Sequence, residues 1–196
     1  GTASMETFTK TMRDLSKNKL AKWSVYMPKG TNINLNFEQQ VKDKKVVYFP
    51  SCISRTMGLN DMSKEEKELF EVTIEVLQKA GYQIIFPQNL SNLCCGMPFS
   101  SKGFNDAAHT KSRQLEEALL NASEFGEYPI LCDTSPCTKK IMESFSHKLS
   151  IYEPIEFALE FLTKDLEFTP IDEPITIHTT CSSRKMGLED KFKKLA

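Results

Sequence analysis

Val46-Val47-Tyr48-Phe49-Pro50-Ser51-Cys52-Ile53-Ser54-Arg55-Thr56-Met57-Gly58 decides how this chain is read. A run of β-branched and aromatic residues stops at a proline, and a cysteine follows at once. The last seven residues return as Cys181-Ser182-Ser183-Arg184-Lys185-Met186-Gly187, 129 positions later, with five of the seven identical. That copy also follows a β-type run, Ile175-Thr176-Ile177-His178. The phrase marks the opening of a repeated unit, strand first and cysteine next. Only 15 residues follow Cys181, so the second unit is expected to continue beyond Ala196.

Outward from the first copy, strands and helices alternate. Residues 1–44 read as an irregular lead-in from an upstream region, with a helix over Glu6–Leu20. Lys45–Pro50 is a strand. Ser63-Lys64-Glu65-Glu66 has capping-box spacing, and the helix behind it carries Leu69, Phe70, Val76, Leu77 and Ala80 before Gly81 ends it. Tyr82–Phe86 is a second strand and Phe104–Phe125 a long helix. Pro129–Cys132 is a third strand. Ser135–Ser146 is a helix with Pro136 in its first turn. Leu149–Tyr152 is a short strand before a helix opened by Pro154, and Pro174–Thr179 is expected to be the last strand. This alternation predicts an α/β, Rossmann-like, mostly parallel sheet with helices on both faces. The expected organisation is a first unit over 45–174 and the start of a second over 175–196.

Ligands of such sheets sit beyond the carboxyl ends of the strands. Cys52 lies just past the first strand and Cys94-Cys95 past the second. Cys132 and Cys137 bracket the end of the third, and Cys181 follows the last. The cysteines therefore fall on the carboxyl edge of the sheet.

Composition narrows the chemistry. With 25 basic and 26 acidic residues, the chain lacks the charge of a nucleic-acid surface. No stretch approaches the roughly 18 apolar residues of a membrane span, and no secretory leader pattern is seen. The 40% hydrophobic content supports a real core. Six cysteines in such a chain read as reduced thiols rather than a disulfide framework. Cys132 and Cys137 make a C-x₄-C hook suited to one tetrahedral zinc, but adjacent Cys94 and Cys95 reach neighbouring metal atoms more easily than one. The ferredoxin run C-x₂-C-x₂-C-x₃-C-P is absent. From spacing alone an iron–sulfur cluster, a zinc site, and structural or catalytic thiols all stay open.

Cys52, then Cys94-Cys95-Gly96, then Cys137, with a restart at Cys181, resembles the cysteine-rich CCG domain. That domain occurs in heterodisulfide reductases, the iron–sulfur protein of glycolate oxidase, anaerobic glycerol-3-phosphate dehydrogenase, lactate-utilisation proteins and FAD-linked D-lactate dehydrogenases. The resemblance covers roughly residues 45–196. Asn92-Leu93-Cys94-Cys95-Gly96-Met97-Pro98-Phe99, Asp133-Thr134-Ser135-Pro136-Cys137 and Trp23-Ser24-Val25-Tyr26-Met27-Pro28-Lys29-Gly30 are most similar to the D-lactate dehydrogenase branch. The resemblance implies a [4Fe–4S] cluster, noncubane in some members. It implies FAD on a domain outside this chain, upstream flavin and ferredoxin-like modules, and a quinone or other redox carrier as acceptor. Cys52, Cys94, Cys95 and Cys137 become the implied ligands, with Cys132 as a further candidate and Cys181 as the first ligand of the second unit. No catalytic side chain is assigned, and this piece alone is not expected to oxidise lactate. The implied location is cytoplasmic, with peripheral attachment to the inner face of the membrane open.

One position departs from the family. Its pattern ends in C-x-x-C, and counting back from Cys137 the first cysteine falls on Thr134. Three arrangements stay open: four ligands without a fifth, Cys132 recruited in its place, or a degenerate unit. Two other functions also stay open, a heterodisulfide-reductase-like centre that attacks a disulfide and a zinc-bearing or metal-free docking domain. Arg55 and Arg184, each three residues after a cysteine, read either as cations beside a centre or as partners of local carboxylates. His178 reads as a strand-end histidine near Cys181. His109 and His147 read as solvated in polar helices, and Met57 and Met186 as packed beneath their turns. Ser100-Ser101-Lys102-Gly103 resembles a weak anion-binding helix start, and Glu65–Glu68 a solvated helix face.

Overall fold

The computed structural model describes residues 2–31 and 33–196. Helix α1 (Thr2–Leu15) and an extended segment precede strand β1 (Lys45–Phe49). There follow α2 (Cys52–Thr56), α3 (Leu69–Lys79), β2 (Gln83–Ile85), α4 (Met97–Ser100), α5 (Asn105–Ala122), β3 (Ile130–Cys132) and α6 (Ser135–Ser144). Next come β4 (Ile151–Tyr152) and α7 (Pro154–Phe157), which runs through a π-helical turn (Ala158–Leu162) into α8 (Thr163–Asp165). A coil leads to α9 (Cys181–Lys185) and α10 (Glu189–Leu195).

The strands form one parallel sheet in the order β2-β1-β3-β4. The expected α/β fold is what forms. Alternation along the strands divides the core between two faces. Val47, Phe49, Ile130 and Cys132 face one side, where Leu115 and Leu119 of α5 and Ile141 of α6 cover them. Val46, Tyr48, Ile84 and Leu131 face the other, under Phe70, Ile74 and Leu77 of α3 and Phe157 of α7. The chain leaves β1 toward β2 on one side, then crosses back to β3 and β4 on the other. The carboxyl ends of β1 and β3 are therefore the switch point where such sheets open a crevice.

The lead-in covers the outer edge of β2. The Gln39 side-chain amide donates to Ile84 O at 3.1 Å and accepts from Ile84 N–H at 3.0 Å. It occupies both ladder positions that β1 leaves free. Ile33 and Phe37 add apolar contacts beside it.

Several local expectations are corrected. Residues 174–179 form no strand: Ile175 and Ile177 are exposed, and a β-type run makes a strand only where a ladder partner meets it. α3 starts at Leu69 rather than at Ser63, because Glu68 and Glu71 close the capping box. Glu65–Glu68 thus precede the helix. α1 ends at Leu15, and Lys17 and Asn18 take positive φ just behind it. His147 lies after α6 rather than within it, and Met57 is exposed rather than packed. Ser100 closes α4, and Gly103 turns the chain toward α5, so that tetrad opens no helix.

Candidate metal centre

Three loops carry the cysteines to the switch point. Ser51, fully buried, caps α2, its hydroxyl accepting from Ser54 N–H at 3.3 Å. That sets Cys52 as the first helical residue after β1. From β2 the chain runs through a 3₁₀ turn, Leu90–Asn92, to Cys94 and Cys95. Gly96 then turns at φ +84°, and a Cβ there would lie 2.6 Å from the Ala108 carbonyl oxygen. Only glycine lets the vicinal pair sit this close to α5. From β3, Cys132 ends the strand and Cys137 lies in the first turn of α6.

The side chains form a chain of contacts. Cys52 lies beside Cys94, Cys94 beside Cys95, and Cys137 beside Cys132. Between them, the Cys95 and Cys137 sulfurs share a hydrogen bond at 3.2 Å. Cys52 and Cys94 are half-buried, whereas Cys95, Cys137 and Cys132 are buried. The row runs from the surface into the core. Among the described residues, no three His, Cys, Asp or Glu side chains surround a single point closely enough to hold one ion.

Within the row the thiols are shifted in opposite directions. Bonds from Cys52 and Cys95, the Gly96 N–H at 3.4 Å and nearby Arg55 hold the Cys94 thiol far below its ordinary value, against its partial burial. Cys52 is pushed up, first by its bond to Cys94 and then by burial. Cys137 is pushed up by Cys132, Cys95 and burial. A low-pKa thiol beside a cation is the form that binds metal.

Arg55 settles between its two expected roles. It is buried and donates Nε to Ser51 O at 3.3 Å, Nη1 to Leu90 O and Nη2 to Leu93 O at 2.5 Å. It thereby ties α2 to the loop of Cys94 and Cys95. Its repeat counterpart Arg184 is exposed and pairs with Glu189 at 3.0 Å, the local-carboxylate reading. Asp133 joins the strand ends, accepting from Tyr48 O–H at 3.0 Å and from Ser51 N–H at 2.9 Å. The Thr134 hydroxyl stands 2.8 Å from Ser51 Oγ and 2.9 Å from Asp133 Oδ1. Sequence reading missed this network; its only signal was a polar pair closing an apolar strand.

Cys181 stands apart. It is exposed at the start of α9, and no hydrogen bond joins it to the other five. His178 and His109 are exposed, while His147 binds Glu116 through its ring, 2.9 Å, and its N–H, 2.7 Å.

The donors suit a centre of several metal atoms: five sulfurs from three loops, one with thiolate character, beside a buried cation. Two thiolates about 2.3 Å from one tetrahedral ion stand about 3.8 Å apart, so the Cys95–Cys137 contact must open slightly. A change of side-chain rotamer provides that.

Fold and site together define a doubly wound α/β domain with a cysteine-rich switch point. Residues 46–141 match the CCG family, a cysteine-rich domain. An anaerobic glycerol-3-phosphate dehydrogenase subunit of Escherichia coli (strain K12) is 25% identical over 162 residues, 76% of this chain and 38% of that protein. Lactate utilization protein A of Bacillus cereus (strain G9842) is 27% identical over 158 residues, 74% of this chain and 61% of its own length. That of Bacillus thuringiensis (strain Al Hakam) is 27% identical over 153 residues, 72% and 59%. The chain thus spans less than two thirds of the length of these relatives. No solved structure matches it significantly. No helix among the described residues is long and apolar enough to cross a membrane.

Proposed function

We propose that this chain is an iron–sulfur electron-transfer domain of a dehydrogenase, and more narrowly of a flavin-linked enzyme acting on a 2-hydroxy acid, D-lactate. The observation that carries the reading is the row of five thiols at the β1/β3 switch point. The CCG domain and the relatives named for glycerol-3-phosphate dehydrogenase and lactate utilization support it. The substrate, FAD on another domain and a quinone acceptor rest on the resemblance of Trp23–Gly30, Asn92–Phe99 and Asp133–Cys137 alone. The second cysteine unit opening at Cys181 is part of the same proposal, as is attachment at the inner face of the membrane.

Cys52, Cys94, Cys95 and Cys137 would hold a [4Fe–4S] cluster, cubane or noncubane, with Cys132 as a fifth donor. Such a cluster supplies one-electron transfer over a range of potentials set by its surroundings. The residues do the rest. Cys94, whose thiol is shifted toward the ionised form, would give up its proton most readily. Gly96 and Arg55 hold the vicinal loop against α5 and α2. Phe49 and the buried core beneath keep water from the inner sulfurs.

Anaerobic reconstitution with ferrous iron and sulfide tests this. The expected outcome is several iron and sulfide ions per chain, with charge-transfer absorption that bleaches on reduction. Stoichiometric zinc with no sulfide uptake would overturn it.

A further inference from the structure

Arg55 is only 8% exposed, yet its hydrogen bonds go to main-chain carbonyls. Carbonyls satisfy N–H groups but leave the charge uncompensated, and a buried cation without a counter-charge is costly. The ionisable groups around it are Cys52, Cys94, Asp133 and Cys137. Asp133 is already engaged by Tyr48, Ser51 and Thr134. Those donors are neutral, so Asp133 keeps its charge and supplies one counter-charge, and the other candidates beside Arg55 are the sulfurs, with Cys52 and Cys94 foremost. The repeated phrase alone does not impose this arrangement, since Arg184 stays exposed and finds a carboxylate.

We propose that Arg55 is a positioning residue whose fixed charge raises the reduction potential of the cysteine centre, while its fork holds the Cys94–Cys95 loop in place. The inference rests on the iron–sulfur reading. Reduction adds one electron, and so one negative charge, to the centre. A cation held in a low-dielectric site stabilises that product more than the oxidised form. Lysine at position 55 keeps the charge without the fork; glutamine keeps polarity without the charge.

The test is a redox titration of the reconstituted 196-residue chain, with dithionite as the electron donor, for wild type, Arg55→Lys and Arg55→Gln. Arg55→Gln is expected to weaken reduction about tenfold or more, a fall of about 59 mV for a one-electron couple. Arg55→Lys is expected to stay close to wild type in potential while losing thermal stability, because the Leu90 and Leu93 carbonyls lose their donors. Equal potentials in wild type and Arg55→Gln would overturn the charge role. If Arg55→Gln takes up no cluster, Arg55→Lys decides: normal uptake supports the charge role, and failed uptake reduces Arg55 to a loop clamp. A wild type that binds neither iron nor sulfide fails before any substitution is compared, and that outcome overturns the iron–sulfur reading itself.

Discussion

Thr134 stands where the family pattern places a cysteine, and its hydroxyl is already committed. It lies against Ser51 Oγ and Asp133, and Ser51 in turn caps the helix that carries Cys52. The side chain at this position therefore helps to aim Cys52, a proposed ligand. Cys132, two residues earlier, reaches Cys137 from the buried end of the row. Cys132→Ser is thus expected to lower iron bound per chain after reconstitution, whereas Cys181→Ser should leave it unchanged. Equal iron in wild type and Cys132→Ser would return Cys132 to the role of a small apolar core residue. The placement of Cys52, Cys94, Cys95, Cys132 and Cys137 at or after strand ends was legible in the sequence because cysteines behind apolar runs mark loops. Arg55's acceptors were not. Two of them lie 35 and 38 residues further along, and a main-chain carbonyl has no residue signature.

Among the elements, periodicity served where an element buries one face against the sheet. β1, α3 and α5 were readable for that reason, since their apolar positions meet a core. The run at 175–178 misled because propensity cannot supply a ladder partner. A link between α5 and the segment after α6 also lay beyond local pattern. Burial raises the Glu116 carboxyl, but the His147 N–H and ring and the Ser146 N–H outweigh it and hold it below the ordinary carboxylate range. A carboxyl depressed in the folded state adds stability above its unfolded pKa of about 4.3, and that stability is lost as pH falls through the folded value. Glu116→Gln should therefore cost about 1 kcal/mol near pH 7. The difference should vanish in acid, below the folded pKa of Glu116. Urea unfolding of both proteins at the two pH values checks this; an equal cost at both would assign the effect to packing.

For the molecule as a whole, the repeated phrase folds alike twice. Ser51 and Thr180 cap their helices at φ −62°, ψ 162° and φ −69°, ψ 161°, and each accepts from the N–H three residues on. The second copy does not float free. Ser183 is buried and donates to Ser135 at 3.0 Å, which donates to Glu153 at 2.7 Å. α9 is thereby latched to the β3 and β4 end of the sheet. If the proposed second unit continues from α9, it starts from a seat fixed two residues from Cys137.

The Gln39 amide has a consequence for handling the chain. With its C=O and NH₂ on Ile84, one side chain imitates a peptide group of a neighbouring strand. It closes a row of hydrogen-bonding groups that would otherwise recruit another molecule, the hazard of any exposed sheet border. A version shortened to begin at Lys45 keeps every cysteine, so it is the natural choice for isolating the proposed cluster-binding unit. It is also expected to aggregate or pair through β2, with larger species on size-exclusion chromatography than the full chain gives at equal concentration. Gln39→Leu in the intact chain separates the cause: it removes the imitation peptide but keeps Ile33 and Phe37 in place. Self-association of that single variant would identify Gln39 as a guard against fibre-like stacking, while a monomer would assign protection to the bulk of the lead-in.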